Sequence, residues 1–396
     1  MLNPIIAFFE RVFRAIGRGI GLLVAWLVWP FLAAHGWYAG KSWIIKAPIA
    51  AFLVLMIGLY GYFIWQTQVW TNFDPNFVDR YKFADRNLSA GVEKPAPGVV
   101  ATAATTSADT STTAASDTST PTTTARSCQR SGIVDVTAEL TDFNVNQNAW
   151  ISSMVLYKLG LFGTDWDHTP FLDNKASFQR GVNEAVRRTT VELVDSLVRM
   201  RGTSAVNNNL QSARSKLQYD ETNWYFGISP FGFLQATPSQ YRAAIKDLTA
   251  FNTELENCSA SFDTRADNLL TFIDRIANSL GNTSAILKER AEQHANGWFD
   301  TRADDRFWFA YGQLYGYYSI LTAVRADFDQ VLKERNLLPI FNETLKQFQA
   351  ALRVQPAIIS NGREDGWIMP NHLSTMGFYI LRVRSNLVEI RAIIDR

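Results

Sequence analysis

The chain has 396 residues and a formal net charge of +1. It therefore lacks the basic excess of a nucleic-acid-binding protein, and its length suits one or two domains plus accessory segments. Its two cysteines, Cys128 and Cys258, and its scattered histidines, His35, His168, His294 and His372, have no Cys or His neighbour at metal-ligand spacing, so no metal or other cofactor is implied.

Residues 1–46 read as a basic, membrane-surface segment. Leu2, Ile5, Ile6, Phe9, Val12, Phe13, Ile16 and Ile20 recur at three- and four-residue spacing, and Arg11, Arg14 and Arg18 form a second stripe. That pattern predicts a basic amphipathic helix lying on an anionic bilayer. The uncharged run 19–40 comes next, with Trp26, Trp29 and Trp37, and Pro30 interrupts it. It reads as a second span, a re-entrant half-helix or an interfacial segment.

Residues 47–73 contain no Asp, Glu, Lys or Arg and end among Tyr60, Tyr62, Trp65 and Trp70. About 20 apolar residues suffice to cross a bilayer as a helix, Pro48 suits a first helical turn, and the aromatic residues suit the lipid–water boundary. The run is too long for a cleavable signal and has no small-x-small exit. With one crossing, Arg11, Arg14, Arg18, Lys41 and Lys46 stay inside, as the positive-inside rule prefers, and the rest of the chain lies outside. A two-span hairpin with a cytoplasmic domain is the alternative.

A juxtamembrane segment, 74–94, leads to 95–130, where Ala, Thr, Ser, Asp and Pro dominate. Such a composition buries too little apolar surface to offset its ordering entropy. The segment reads as a disordered linker that tethers the C-terminal region. Residues 131–396 read as a helical domain. One apolar face runs from Phe178 through Val182, Val186 and Leu193 to Leu197, with Glu184–Arg188 and Asp195–Arg199 as supporting pairs. Further faces run from Tyr241 to Leu255, from Phe262 to Leu280 with Gly281 ending the helix, and from Phe307 to Val331. Met376, Ile380, Val383, Leu387, Ile390 and Ile394 step like a coiled-coil seam. Two loops, 224–238 and 355–370, are rich in aromatic residues, Gly and Pro. The fold class is mainly α: an N-terminal membrane anchor followed by an elongated bundle of long helices.

Phe262-Asp-Thr-Arg-Ala-Asp recurs at Phe299. Asp263 or Thr264, and Asp300 or Thr301, suit helix capping. The cluster Asp165, Asp167, His168 and Asp173 lacks the Gly and distal Glu of a calcium loop, and reads as solvated carboxylates with a helix cap at Asp173. Glu364 and Asp365 precede His372 without a partner fixed beside them. Phosphate-loop, nucleophile-elbow and zincin signatures are absent.

The stretch 307–318 is unusually aromatic, and Gly312 and Gly316 would let a neighbouring helix approach closely. Core packing is the ordinary use of such a stripe. The sharper reading is a ligand-binding platform made by Trp308, Tyr311 and Tyr315 with Arg306 at its mouth. In an oxidising compartment the isolated pair Cys128 and Cys258 would be joined in a disulfide pinning the start of the domain to the bundle.

The runs Trp150-Ile-Ser-Ser-Met-Val-Leu-Tyr-Lys-Leu-Gly, Asp173-Asn-Lys-Ala-Ser-Phe-Gln-Arg-Gly, Asp220-Glu-Thr-Asn-Trp-Tyr-Phe-Gly and Asp304-Asp-Arg-Phe-Trp-Phe-Ala-Tyr-Gly resemble a bacterial family known only as a domain of unknown function. The resemblance implies a bacterial inner membrane and supplies no catalytic residue, cofactor or substrate. The expected role is a non-enzymatic scaffold whose partners are the lipid bilayer and other envelope proteins. The alternatives are a periplasmic ligand-binding or sensing domain built on Trp308, and a hydrolase using Glu364, Asp365 or Asp167 with a histidine.

Overall fold

Trp43–Gln68 forms one continuous helix, α1, apolar throughout except for Lys46 near its start and Gln66-Thr67-Gln68 at its end. The computed structural model describes residues 21–22, 24–26, 28–95, 126–160, 165–169, 171–198, 206–228, 231–295, 300–363 and 369–396. The chain divides into two units, Met1–Phe63 and Ile64–Arg396.

In the first unit, residues 28–39 are helical with Pro30 inside the run, so the proline does not interrupt it. The amphipathic segment 1–20 lies outside the described residues. At the turn before α1, Lys46 Nζ donates to the Ala39 carbonyl and Tyr38 Oη to the Lys46 carbonyl. Pro48 sits inside α1 rather than in its first turn. Among the described residues, α1 is the helix long and apolar enough to cross a membrane, and most of its apolar side chains are exposed, Phe63 excepted.

The second unit is built of α2 (Gly132–Asp142), α3 (Val155–Leu159), α4 (Asn174–Glu192), α5 (Asn208–Leu217), α6 (Thr237–Glu256), α7 (Ala266–Gln293), α8 (Ala303–Asp327), α9 (Asp329–Glu334), α10 (Leu338–Leu352) and α11 (His372–Ile394). Its one sheet among the described residues is the hairpin β1 (Phe226–Ile228) and β2 (Phe231–Phe233), with Phe226 opposite Phe233. Helix α8 is buried on nearly every side, polar residues such as Asp304, Gln313 and Asp327 included, and is the centre of the core. Helix α4 crosses it with backbones in contact: a Cβ on Gly181 would overlap the Phe309 carbonyl, and one on Gly312 that of Phe178. All six residues of the α11 seam are buried.

Three helix ends differ from the sequence reading. Helix α7 runs through Gly281 to Gln293, since one glycine costs a helix only about 1 kcal/mol. The fourth pattern breaks at Phe328 into α8 and α9. The repeated motif opens α7 and α8 at the same offset, Ala266 and Ala303. Neither aspartate caps the helix: Asp263 and Asp300 accept the N–H two residues on, of Arg265 and Arg302. Arg199, the expected partner of Asp195, lies outside the described residues, and Asp195 accepts from Arg214 instead.

The bundle has two ends. One, here called proximal, holds residues 66–73, the start of α4, the start of α6 and the start of α8. The distal end holds the start of α2, the end of α6 and the end of α8. Residues 74–94 connect them and are packed: Val78 and Phe83 are buried in the core, and Ala90 donates to the Asp327 carbonyl. Residues 96–125 lie outside the described residues, but their flanks are paired. Glu93 bridges Cys128, the Gly91 N–H reaches the Gln129 carbonyl, and the Lys94 N–H reaches that of Ser127. The Ala/Thr/Ser segment therefore leaves and rejoins one unit. It does not tether that unit to the apolar helix.

Candidate functional site at the end of the apolar helix

The last carbonyls of a helix have no partner within it. Those of α1 are met by Lys175, buried at 3% exposure, whose Nζ donates to Gln66 O at 3.0 Å and to Val69 O at 2.7 Å. A cation there also complements the negative end of the helix dipole. Burial pushes the Lys175 amine down to about 8. Around it, Gln68 Nε2 donates to the Phe171 carbonyl at 2.8 Å. Thr71 and Asn148 exchange two hydrogen bonds of 3.0 Å each. Trp70 packs against Phe178 and Trp308 with ring centres 4.9 and 5.2 Å away, and Phe73 stacks on Tyr315 at 5.6 Å. The chain leaves α1 directly into an aromatic core.

This junction uses the residues proposed from the sequence as a ligand platform. Trp308 is half-buried under Trp70. Tyr311 and Tyr315 are buried, their hydroxyls donating to Leu352 O at 2.8 Å and Asp74 O at 2.9 Å. Burial raises both phenols, Tyr311 to about 12. Arg306 is exposed and does not join them. Tyr315 alone reaches a cleft of about 640 Å³ whose polar lining includes Asp74, Asp79, Arg80 and Glu139. Burial works against the Arg80 charge, but its ion pair with Glu139 outweighs that and raises its pKa. The cleft offers polar contacts to a small ligand, with Glu139 paired to Arg80.

The other candidates separate. Asp165 and His168 are exposed, the Asp167 side chain is outside the described residues, and Asp173 precedes α4 without capping it. Glu364 and Asp365 also lie outside the described residues. His372 Nδ1 accepts the Ser360 N–H at 3.0 Å, and burial lowers its pKa. Asp304 is pushed up to about 7 by burial and by Asp305, which is itself held by the Ser177 hydroxyl. Among the described residues, no group of three or more His, Cys, Asp or Glu could hold a metal ion.

The distal end carries a second buried charge that the sequence reading passed over. Asp327 accepts from Ser131 Oγ at 2.7 Å, Gly132 N at 2.8 Å and Ile133 N at 2.9 Å, closing the N-terminus of α2. Burial pushes it up to about 6 against those three bonds. Beside it Cys128 and Cys258 are joined, Cα atoms 5.3 Å apart across 130 residues of sequence. Lys175 and Asp327 share a signal in the sequence: a cation in the first turn of one helix and an anion in the last turn of another, each opposed by its own helix dipole.

A helical bundle continued from an apolar helix is thus the class of structure that this chain defines. It belongs to the bacterial family described as uncharacterized protein conserved in bacteria (DUF2333), whose profile matches residues 137–298 and 288–396. The four sequence runs that resemble a family of unknown function all fall within those bounds. No curated protein and no solved structure matches the chain.

Proposed function

We propose that the protein is a membrane-anchored helical domain of the bacterial cell envelope, a non-enzymatic scaffold that holds other envelope proteins at the inner membrane. The observation that carries this reading is the junction. The last turn of the apolar helix is held by Lys175, and the residues that follow it enter an aromatic core. Anchoring by α1, with the helix ending at Gln68, puts the second unit at the bilayer surface. The joined cysteines and the basic residues before α1 favour the periplasm.

A reporter active only outside the cytoplasm, fused after Arg396, is expected to be active, and one active only inside is expected to be silent. The reverse pattern rejects the periplasmic placement in favour of a two-span hairpin with a cytoplasmic domain. Cross-linking in intact cells, with identification of the proteins joined to the second unit, tests the scaffold role. Recovery of the chain alone argues against it. The cleft beside Tyr315 favours a second reading, a small-ligand or sensing site. A soluble ligand that protects Arg80 from arginine-selective modification would support it.

A further inference from the structure

We propose that the proximal end of the second unit is itself a membrane-contact surface, inserted in the lipid headgroup region beside α1. This rests on the reading of α1 as a bilayer-spanning helix.

The bundle exposes its large apolar side chains unevenly. Phe231 and Phe233 on the hairpin are 82% and 93% exposed. Tyr225, Leu159, Phe171 and Ile358 are exposed as well. Bonded contacts place all six at the proximal end. Phe171 gives its carbonyl to Gln68, the last residue of α1. Arg180 lies over Tyr157 in α3 and reaches Glu221 at the base of the hairpin. The hairpin feeds into the start of α6 through the Thr237 N–H to Asn223 O. Arg242 in that first stretch of α6 donates to Val145 O, next to the Asn148 that holds Thr71. Ile358 precedes Asn361, which bonds the end of α7 and Asp300. Ile286, Phe378 and Leu381 are exposed part-way along α7 and α11. In the distal part of the unit, among the described residues, only Val92 and Val388 are comparably exposed.

A soluble bundle gains nothing by exposing two phenylalanines on one short hairpin, and a patch of this kind marks a contact surface. Aromatic side chains are favoured at the headgroup level of a bilayer, where ring and water both find neighbours. The occupant is lipid because the patch shares the end of the unit at which the chain leaves α1, with Phe171 bonded to Gln68 itself, so a bilayer that takes α1 lies at that end.

The full chain is reconstituted in phosphatidylethanolamine/phosphatidylglycerol vesicles with an environment-sensitive thiol dye at one introduced cysteine. The native pair is joined and does not react. Sites are Phe231→Cys, Leu55→Cys in α1 and Val92→Cys at the distal end. The expected result is blue-shifted emission, lost on adding doxyl-labelled lipid, at positions 55 and 231 but not at 92. Quenching at 55 with water-like emission at 231 overturns the proposal and leaves the anchor intact. A blue shift at 231 that doxyl lipid does not quench assigns the patch to a protein contact and overturns it too. No quenching at 55 rejects the anchor on which the proposal rests.

Discussion

At the proximal end of the bundle a buried cation holds carbonyls, and at the distal end a buried carboxylate holds amides. Lys175 closes the C-terminus of α1, and Asp327 closes the N-terminus of α2. Each charge comes from a helix that its own dipole would reject there, and each satisfies the end of a neighbour. The difference lies in what surrounds them. The proximal charge holds the carbonyls just before Trp70 and Phe73, at the end of the unit that exposes aromatic residues. The distal one sits beside a covalent cross-link, with little apolar surface outside. In the proposed reading one end meets the bilayer and the other stays shut.

The largest expected effect tests the shut end. Replacing Cys128 and Cys258 together with Ser removes a loop closure of 130 residues, worth about 5 kcal/mol in the chain-entropy model. Denaturant unfolding of the two proteins measures it. The proximal environment, read by tryptophan emission before the transition, should not change. A shift of that emission on reduction would mean that the two ends are coupled and that the contrast between them fails.

Asp327→Ala strands two backbone N–H groups and a hydroxyl in the core, an expected loss of about 4 kcal/mol at one to three per unsatisfied group. Asp327→Asn keeps an acceptor and should lose less. Equal losses for the two would show that the carboxylate's packing, not its hydrogen bonds, matters.

The proximal cation gives a dependence on pH. Lys175 titrates near 8 in the folded chain, against the ordinary 10.5 of a lysine in the unfolded one. Between those values the unfolded chain holds more protons, so stability should rise with pH across the window, by up to about 3 kcal/mol. The buried tyrosines act oppositely at the upper end, because they resist ionisation only when folded. The measured quantity is therefore the wild type minus Lys175→Met, tracked from pH 7.5 to 10.5 or so. A flat difference would mean that the carbonyls of Gln66 and Val69 hold the ammonium form and cancel the cost of burial.

A smaller effect separates core from platform. Tyr315→Phe loses the bond to Asp74 O and should cost about 1 kcal/mol, with the stacking on Phe73 retained. Unchanged stability with loss of function would instead return Tyr315 to the ligand reading through the cleft that it lines.

The helices are legible in the sequence because their apolar residues repeat at the helical period. The α11 seam and the close approach at Gly312 rest on side-chain size and spacing alone. The junction is not legible, because it joins residues 77 or more positions apart: Gln66 with Lys175, Thr71 with Asn148, Trp70 with Trp308. Aromatic residues near a span read equally well as a lipid belt or as core, and Trp70 and Phe73 are half-buried against the core. The route of the chain escapes the sequence for a related reason. Composition marks 95–130 as unable to fold, but says nothing of whether its two ends lie together.

That route makes the last prediction, of almost no effect. Protease is expected to cut within residues 96–125 first, since such a composition resists ordering. Were the segment a tether, one cut would free the bundle from the membrane. Here the cut leaves residues 69–94 clasped along the bundle by Val78, Phe83 and the pairing of Glu93 with Cys128, with Lys175 still on the end of α1. The disulfide lies wholly on the C-terminal fragment, so only packing and hydrogen bonds hold the pieces. Membranes treated with protease and washed in high salt should retain the C-terminal fragment, and denaturant should release it. Release by the wash would break the comparison at its base, for it would mean that the proximal junction and the packed strap together are too weak to carry the domain.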